Sequence, residues 1–358
     1  MITVTKTYLP LLSEYIKYLK KIWESNWVTN NGSLVIELER KLKDFLGVKN
    51  LFFVSNGTIA LQIAIKALGI RGEIITTPFS YVASTSSIVW ENCKPIFVDI
   101  NPETLCIDTK KIIPAITKKT QAILAVHVYG NICDVEEIRK IAKQYKLKVI
   151  YDAAHAFGVT YNGISILNYG DISSLSFHAT KVFHTVEGGA LITKDNKLGK
   201  RISYMRNFGH KGEEDFFGLG INGKNSEFHA AMGLCVLPAI RKHIKKRKDI
   251  SLLYDKLLQN SSLHRPKISK RLRPNYSYYP VIFESEKQLK KTRNNLHKNN
   301  IKPRRYFFPS LTSLNYVDKY SCPVAEDIAR RVLCLPIYES LSKEDVKEIS
   351  RIVLKSLN

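Results

Sequence analysis

The chain reads as an α/β protein: a large, mainly parallel sheet covered by helices on both faces, followed by a smaller α+β region. Three observations carry that reading. Short, near-continuous apolar runs recur from residue 51 onward, as in strands buried on both faces. Segments of helical character separate those runs, as in repeated βαβ units. An acid, Asp152, and a lysine, Lys181, stand at the ends of two such runs. Ligands of parallel sheets gather at the carboxyl ends of the strands.

Taken in order, residues 10–47 read as a partly charged helical entry, interrupted by the turn-like string Trp27-Val28-Thr29-Asn30-Asn31-Gly32. Strands are expected at 51–54, 73–76, 95–98, 122–126 and 148–151. Helices are expected at 58–68, 81–89 and 135–145, the first of them apolar on all sides. A further strand, 172–177, leads into a turn that holds Lys181. The glycine pair Gly188-Gly189 and an apolar strand at 190–193 follow. Residues 226–259 read as helical and contain a dense basic run, 241–248. The domain boundary is placed there, giving a large domain over 1–240 and a smaller α+β domain over 241–358. In the latter, 278–283 and 333–337 read as strands and 286–299 and 343–357 as helices, the last capped by Ser342.

Composition bounds the partners. A hydrophobic content of 44% over 358 residues supplies a large core. Lys and Arg number 55 against 32 Asp and Glu, a formal charge of +23. That balance suits anionic partners, whether nucleic acid, lipid headgroups or phosphorylated small molecules. The basic run 241–248 has no interleaved aromatic platform, and it reads as a solvated helix face rather than a nucleic-acid site. The six cysteines form no C-x-x-C pair, which argues against a zinc site and fits reduced thiols in a cytoplasmic protein. No metal ligand set is expected. The first residues lack the apolar run of a signal peptide, and no stretch approaches the ~18 apolar residues of a membrane span.

The chemistry rests on a constellation. A lysine amine can form a Schiff base with the aldehyde of pyridoxal 5′-phosphate. An acid beside the pyridine nitrogen keeps the ring protonated and able to accept electrons. Asp152 and Lys181 are those two groups, and partial desolvation would free the lysine amine for attack. Ser55-Asn56-Gly57-Thr58 follows the first strand and opens a helix, a phosphate cradle in which Gly57 permits close approach. Gly218, Gly220 and Gly223 match the dinucleotide pattern G-x-G-x-x-G. They lack a preceding apolar strand and a following acid, so the segment reads as a mobile loop. His127, His178 and His184 could each be packed core or loop histidines.

Asn56-Gly57-Thr58, Asp152-Ala153-Ala154-His155, Ser176-Phe177-His178 with Thr180-Lys181, Glu187-Gly188-Gly189, and the string from Gly220 through Asn222, Lys224 and Ser226-Glu227 to Ala230-Ala231 resemble the DegT/DnrJ/StrS sugar aminotransferases. The likeness runs in order over nearly the whole chain. It implies the fold type I, aspartate aminotransferase-like architecture and a homodimer with shared active sites. By that resemblance Lys181 is the Schiff-base lysine and Asp152 the pyridinium partner. His155 lies by the phenolic oxygen, Gly57, Thr58 and Ser176 hold the phosphate, and Tyr81 stacks on the ring. Asn222 and Lys224 reach over from the partner subunit. The family usually has Arg at position 224 and often Gly at position 186, where this chain has Lys224 and Val186.

The resemblance further implies that L-glutamate gives its amino group to the cofactor, leaving pyridoxamine 5′-phosphate and 2-oxoglutarate, and that a nucleotide-linked keto-6-deoxyhexose then receives it. The expected acceptor is a dTDP-linked 4-keto sugar, aminated at C4, for surface polysaccharide or O-antigen (lipopolysaccharide) synthesis. Amination of a 3-keto sugar at C3 is the alternative. Arg304, Arg305 and Tyr306 are candidates for the substrate diphosphate. Lys181 argues against a dehydratase of the same fold, which typically carries histidine there. A non-catalytic regulator or nucleic-acid binder built on this fold is the competing class, motivated by the charge.

Overall fold

The computed structural model describes residues 1–357. A seven-stranded sheet forms its centre, with strands β1 (Asn50–Val54), β2 (Glu73–Thr76), β3 (Lys94–Phe97), β4 (Thr120–Val126), β5 (Lys148–Asp152), β6 (Ile172–Ser176) and β7 (Gly189–Thr193). Their spatial order is β1-β7-β6-β5-β4-β2-β3. Every neighbouring pair is parallel except those made by β7, which runs antiparallel to both β1 and β6. The reason is local. The β6–β7 connection contains no crossover helix, and parallel neighbours need one. Phe177 N donates to Gly188 O (2.8 Å) and Thr185 N to Phe177 O (2.9 Å), so the chain folds back as a long hairpin with Lys181 in its loop.

Eleven α-helices are described: α1 (Leu12–Ser25), α2 (Ser33–Leu46), α3 (Gly57–Ala67), α4 (Val82–Trp90), α5 (Val135–Tyr145), α6 (Asn196–Met205), α7 (Glu227–Val236), α8 (Ile240–Leu258), α9 (Glu286–Lys298), α10 (Pro323–Arg331) and α11 (Lys343–Leu357). The expected break at 27–32 separates α1 from α2. The Glu227 carboxylate, at the start of α7, accepts from Leu34 N (2.8 Å) and Val35 N (2.9 Å). A buried anion thus satisfies the amides at the positive end of α2. The apolar α3 is buried almost all round (Ala60, Leu61, Ile63, Ala64 and Ile65) and starts at a cap in which Asn56 Oδ1 accepts from Ile59 N (2.8 Å).

Strands β8 (Tyr279–Ile282) and β9 (Val332–Leu335) form an antiparallel ribbon with two different faces. Tyr279, Val281, Leu333 and Leu335 pack against α8, α9 and α11 in a second apolar core. Ile282, Val332 and Cys334 belong to the main core. Residues beyond 240 therefore serve both cores. Helix α8 itself enters the main core through Ile240 and the second through Ile250, Tyr254 and Leu258.

The basic run on α8 differs from a fully solvated face. Arg241, Lys242, Lys245, Lys246 and Lys248 are exposed, but His243 and Arg247 point inward. Arg247 Nη1 donates to Ile337 O (2.9 Å) and Ser277 O (3.3 Å), tying the helix to the ribbon's exit. Among the described residues no helix is long and apolar enough to cross a membrane.

Candidate active site

A cleft of about 390 Å³ opens at the carboxyl ends of β4, β5 and β6. Asp152 closes β5 and is buried. Its Oδ2 accepts from Ser84 Oγ on α4 (2.7 Å), and its Oδ1 accepts from Ala154 N (3.1 Å). Lys181 enters from the β6–β7 loop, where its backbone N donates to His178 O (2.9 Å). Burial lowers the Lys181 amine from the usual 10.5 to about 8, while the Asp152 carboxylate pulls the other way. Charge and desolvation thus meet on one amine.

His155 lies one turn beyond Asp152. Burial, and then the Lys181 charge, hold its pKa well below the usual value, so the ring is neutral. Its Nδ1 accepts from Tyr129 N (3.2 Å), which places the single proton on Nε2. The ring is parallel to Phe307 at 5.7 Å and meets the edge of Tyr278 at 4.8 Å.

The opposite side of the cleft is the start of α3. Gly57 and Thr58 line it, together with Ser176 from the end of β6. A Cβ on Gly57 would come within 3.1 Å of Ser176 Cβ. Gly189 is tighter still, since a Cβ there would meet the Asn56 carbonyl carbon at 2.5 Å. These two glycines let β6, β7 and the β1–α3 turn converge, leaving helix-terminal amides beside a serine hydroxyl.

Tyr81, Arg304 and Tyr306 also line the cleft, with the Arg304 guanidinium 4.9 Å over the Tyr306 ring. Arg305, expected at the substrate diphosphate, instead turns away from the cleft. Its Nη2 donates to Arg330 O (2.9 Å), pairs with Glu286 Oε1 (3.2 Å), and its guanidinium stacks 3.5 Å over Phe308. Adjacent residues of an extended segment point to opposite sides, so Arg304 and Arg305 cannot both face the cleft. Asn222 and Lys224 lie outside this chain's own cleft. Lys224 Nζ donates to Asn222 Oδ1 (2.7 Å) and sits 4.4 Å over the Phe208 ring.

Of the three histidines left open, His127 is a core residue stacked on Tyr151 at 4.7 Å, with its pKa lowered to about 3 by burial. His184 is packed and bonded to Tyr8 O (2.7 Å), and His178 stands at the cleft beside Glu187 (3.6 Å). Sequence reasoning missed Ser80, Ser84, Tyr278 and Phe307. A polar run inside an expected buried helix, Ser84-Thr85-Ser86-Ser87, was the available signal for the second. Nothing local marked the two aromatics, which arrive from the part of the chain beyond residue 240.

The donor set suits pyridoxal phosphate. A partly desolvated amine can meet its aldehyde, and a helix N-terminus whose glycine clears room beside a serine can meet its phosphate. Both hydrogen-bond donors to the buried Asp152 carboxylate are neutral, and the Lys181 amine acts on it without an ion pair, so a protonated ring nitrogen can be its direct cationic partner. Fold and site together define a fold type I pyridoxal-phosphate-dependent transferase.

Residues 11–354 match the DegT/DnrJ/EryC1/StrS aminotransferase family, and the chain belongs to it. It is 44% identical over 355 residues to the dTDP-4-amino-4,6-dideoxy-D-glucose transaminase of Shigella dysenteriae, covering 97% of each chain. It is 32% identical to the dTDP-3-amino-3,6-dideoxy-alpha-D-galactopyranose transaminase of Aneurinibacillus thermoaerophilus, covering 92% of each. The crystal structure of DesI in the presence of its TDP-sugar product superposes with a TM-score of 0.94 at 28% identity, over 100% of this chain and 93% of that one. The protein is a pyridoxal-phosphate-dependent aminotransferase.

Proposed function

We propose that this aminotransferase moves the amino group of L-glutamate to C4 of a dTDP-linked 4-keto-6-deoxyhexose. The observation that carries the reading is the meeting of Lys181 and Asp152 in one cleft beside the α3 N-terminus. The names of the similar transaminases support the sugar class. The greater likeness to the C4-named enzyme (44%) than to the C3-named one (32%) favours C4.

Bound pyridoxal phosphate supplies the electron sink that lets an amino acid lose its Cα proton. Lys181 Nζ, with its pKa lowered to about 8, would accept and donate a proton near neutral pH, the acid–base role such chemistry needs. Asp152 holds the ring nitrogen's proton. His155, its Nδ1 accepting from Tyr129 N, keeps an Nε2–H that would be free to donate to the cofactor's phenolic oxygen. Gly57, Thr58 and Ser176 bind the phosphate, and Tyr81 covers the ring. Arg304 and Tyr306 meet the anionic part of the substrates from the smaller domain.

The active form is a homodimer in which Asn222 and Lys224 complete the partner's site. Support comes from the loop that bears them, which exposes Phe208, Phe216, Phe217 and Leu219, an apolar group that a second copy would cover. The enzyme works in the cytoplasm and feeds surface polysaccharide or O-antigen assembly.

The test is incubation with L-glutamate and a panel of dTDP-, UDP- and GDP-linked 3-keto and 4-keto sugars, with NMR of the product. Nitrogen on C4 of the dTDP sugar is expected. Nitrogen on C3, or turnover confined to another nucleotide, would overturn the assignment.

A further inference from the structure

Helix α4 carries Ser84, Thr85, Ser86 and Ser87, and three of these four hydroxyl residues are fully buried. Serine is mostly a surface residue, and a buried hydroxyl needs a partner. Ser87 takes the ordinary intrahelical solution, its Oγ donating to Ala83 O (2.7 Å). Ser84 does not. Its Oγ donates to Asp152 Oδ2 (2.7 Å), and the same oxygen lies 2.7 Å from Ser80 Oγ.

The direction of this chain is fixed by counting protons. A carboxylate only accepts, and a hydroxyl has one proton. Ser84 spends its proton on Asp152, so Ser80 must donate to Ser84. Both hydroxyl dipoles therefore point the same way, toward the carboxylate, and each bond strengthens the next. Ser80 is nearly buried yet lines the cleft, so the relay runs from the cleft wall to the acid.

We propose that Ser84, backed by Ser80, is a positioning residue that holds the Asp152 carboxylate at one rotation, with one oxygen tied to Ser84 and the other to Ala154 N, so that the acid is preset for the cofactor's ring nitrogen. This rests on the pyridoxal-phosphate reading of the cleft. Ser84 does not line the cleft and reaches it only through Asp152.

The experiment compares wild type with Ser84→Ala, Ser80→Ala and Ser84→Thr. Kd for pyridoxal phosphate is measured by fluorescence quenching, and the visible band of the bound cofactor is titrated against pH. Ser84→Ala is expected to raise Kd about tenfold, the loss of one hydrogen bond to a charged acceptor, and to shift the pH midpoint of the band. Ser80→Ala should move both in the same direction by less, and Ser84→Thr should restore them. Alanine suits a helix interior, and urea unfolding of each apo-protein checks the fold. An unchanged Kd and pH profile in a folded Ser84→Ala protein overturns the relay alone. Absence of any visible band in wild type would sink the cofactor reading beneath it.

Discussion

The Lys181 amine gives a prediction about stability that needs no turnover. In the folded protein it releases its proton near 8, against 10.5 in an unfolded chain. Between those values the unfolded state holds more protons, so stability rises with pH. Below about 8 the whole cost of a buried ammonium is present; above about 10.5 it is gone. The drop from 10.5 to about 8, at about 1.4 kcal/mol for each tenfold change in acidity, corresponds to roughly 3.5 kcal/mol. Partial contact of the amine with the open cleft reduces this to on the order of 2 kcal/mol. Lys181→Met keeps the apolar stem and removes the titrating group. Urea unfolding of the two apo-proteins between about pH 7 and pH 10.5 isolates its contribution. Relative to wild type, the Met variant should gain stability as pH falls from about 10.5 to about 8, by that amount, and the difference should then level off. A difference that stays flat through this range, or shrinks as pH falls, would refute the placement of a desolvated amine at position 181.

Other perturbations separate the remaining roles. Arg304→Ala should raise the KM of the sugar nucleotide at least several-fold, whereas Arg305→Ala should leave KM unchanged and lower the unfolding midpoint, because it breaks the Glu286 pair and the Arg330 carbonyl bond; steady-state kinetics beside thermal melts distinguish them. Gly57→Ala puts a methyl 3.1 Å from Ser176 Cβ, and should weaken cofactor binding about tenfold by titration with little change in apo-protein stability. Asp152→Asn should cut the rate of the glutamate half-reaction by roughly a hundredfold or more in stopped-flow absorbance, since an amide cannot hold the ring proton; a rate near wild type would remove Asp152 from the chemistry.

Much of the fold was legible because buried strands and helices carry their own periodicity. Helix 135–145 was read to the residue, and the structure shows what fixes it, an Asp134 cap and a buried stripe of Val135, Ile138 and Ile141. The antiparallel sense of β7 was not legible, since apolar content is the same for either direction. It follows from the hairpin bonds of Phe177 and Thr185, which only the folded chain displays. In the cleft, Lys181, Asp152 and Gly57 announced themselves by standing at strand ends and beside a helix start, whereas Ser176 was reached only through the family resemblance. Arg304 and Arg305 could not be told apart, because side-chain alternation is decided by the partner at Cys334, thirty residues away in the sequence. Arg247 was misplaced for a related reason. Within a run of lysines and arginines, only packing against Ile337 and Ser277 selects the one that turns inward. Ser84 was visible merely as a polar letter in an apolar helix, and its meaning depends on an acid 68 positions away.

The most direct test traps the cofactor where it attaches. The protein is loaded with pyridoxal phosphate, reduced with borohydride, digested and sequenced by mass spectrometry. A phosphopyridoxyl group on Lys181 alone, lost in the Lys181→Met protein, is the predicted result. Label on another lysine, or unselective label across the basic helices, would contradict the account.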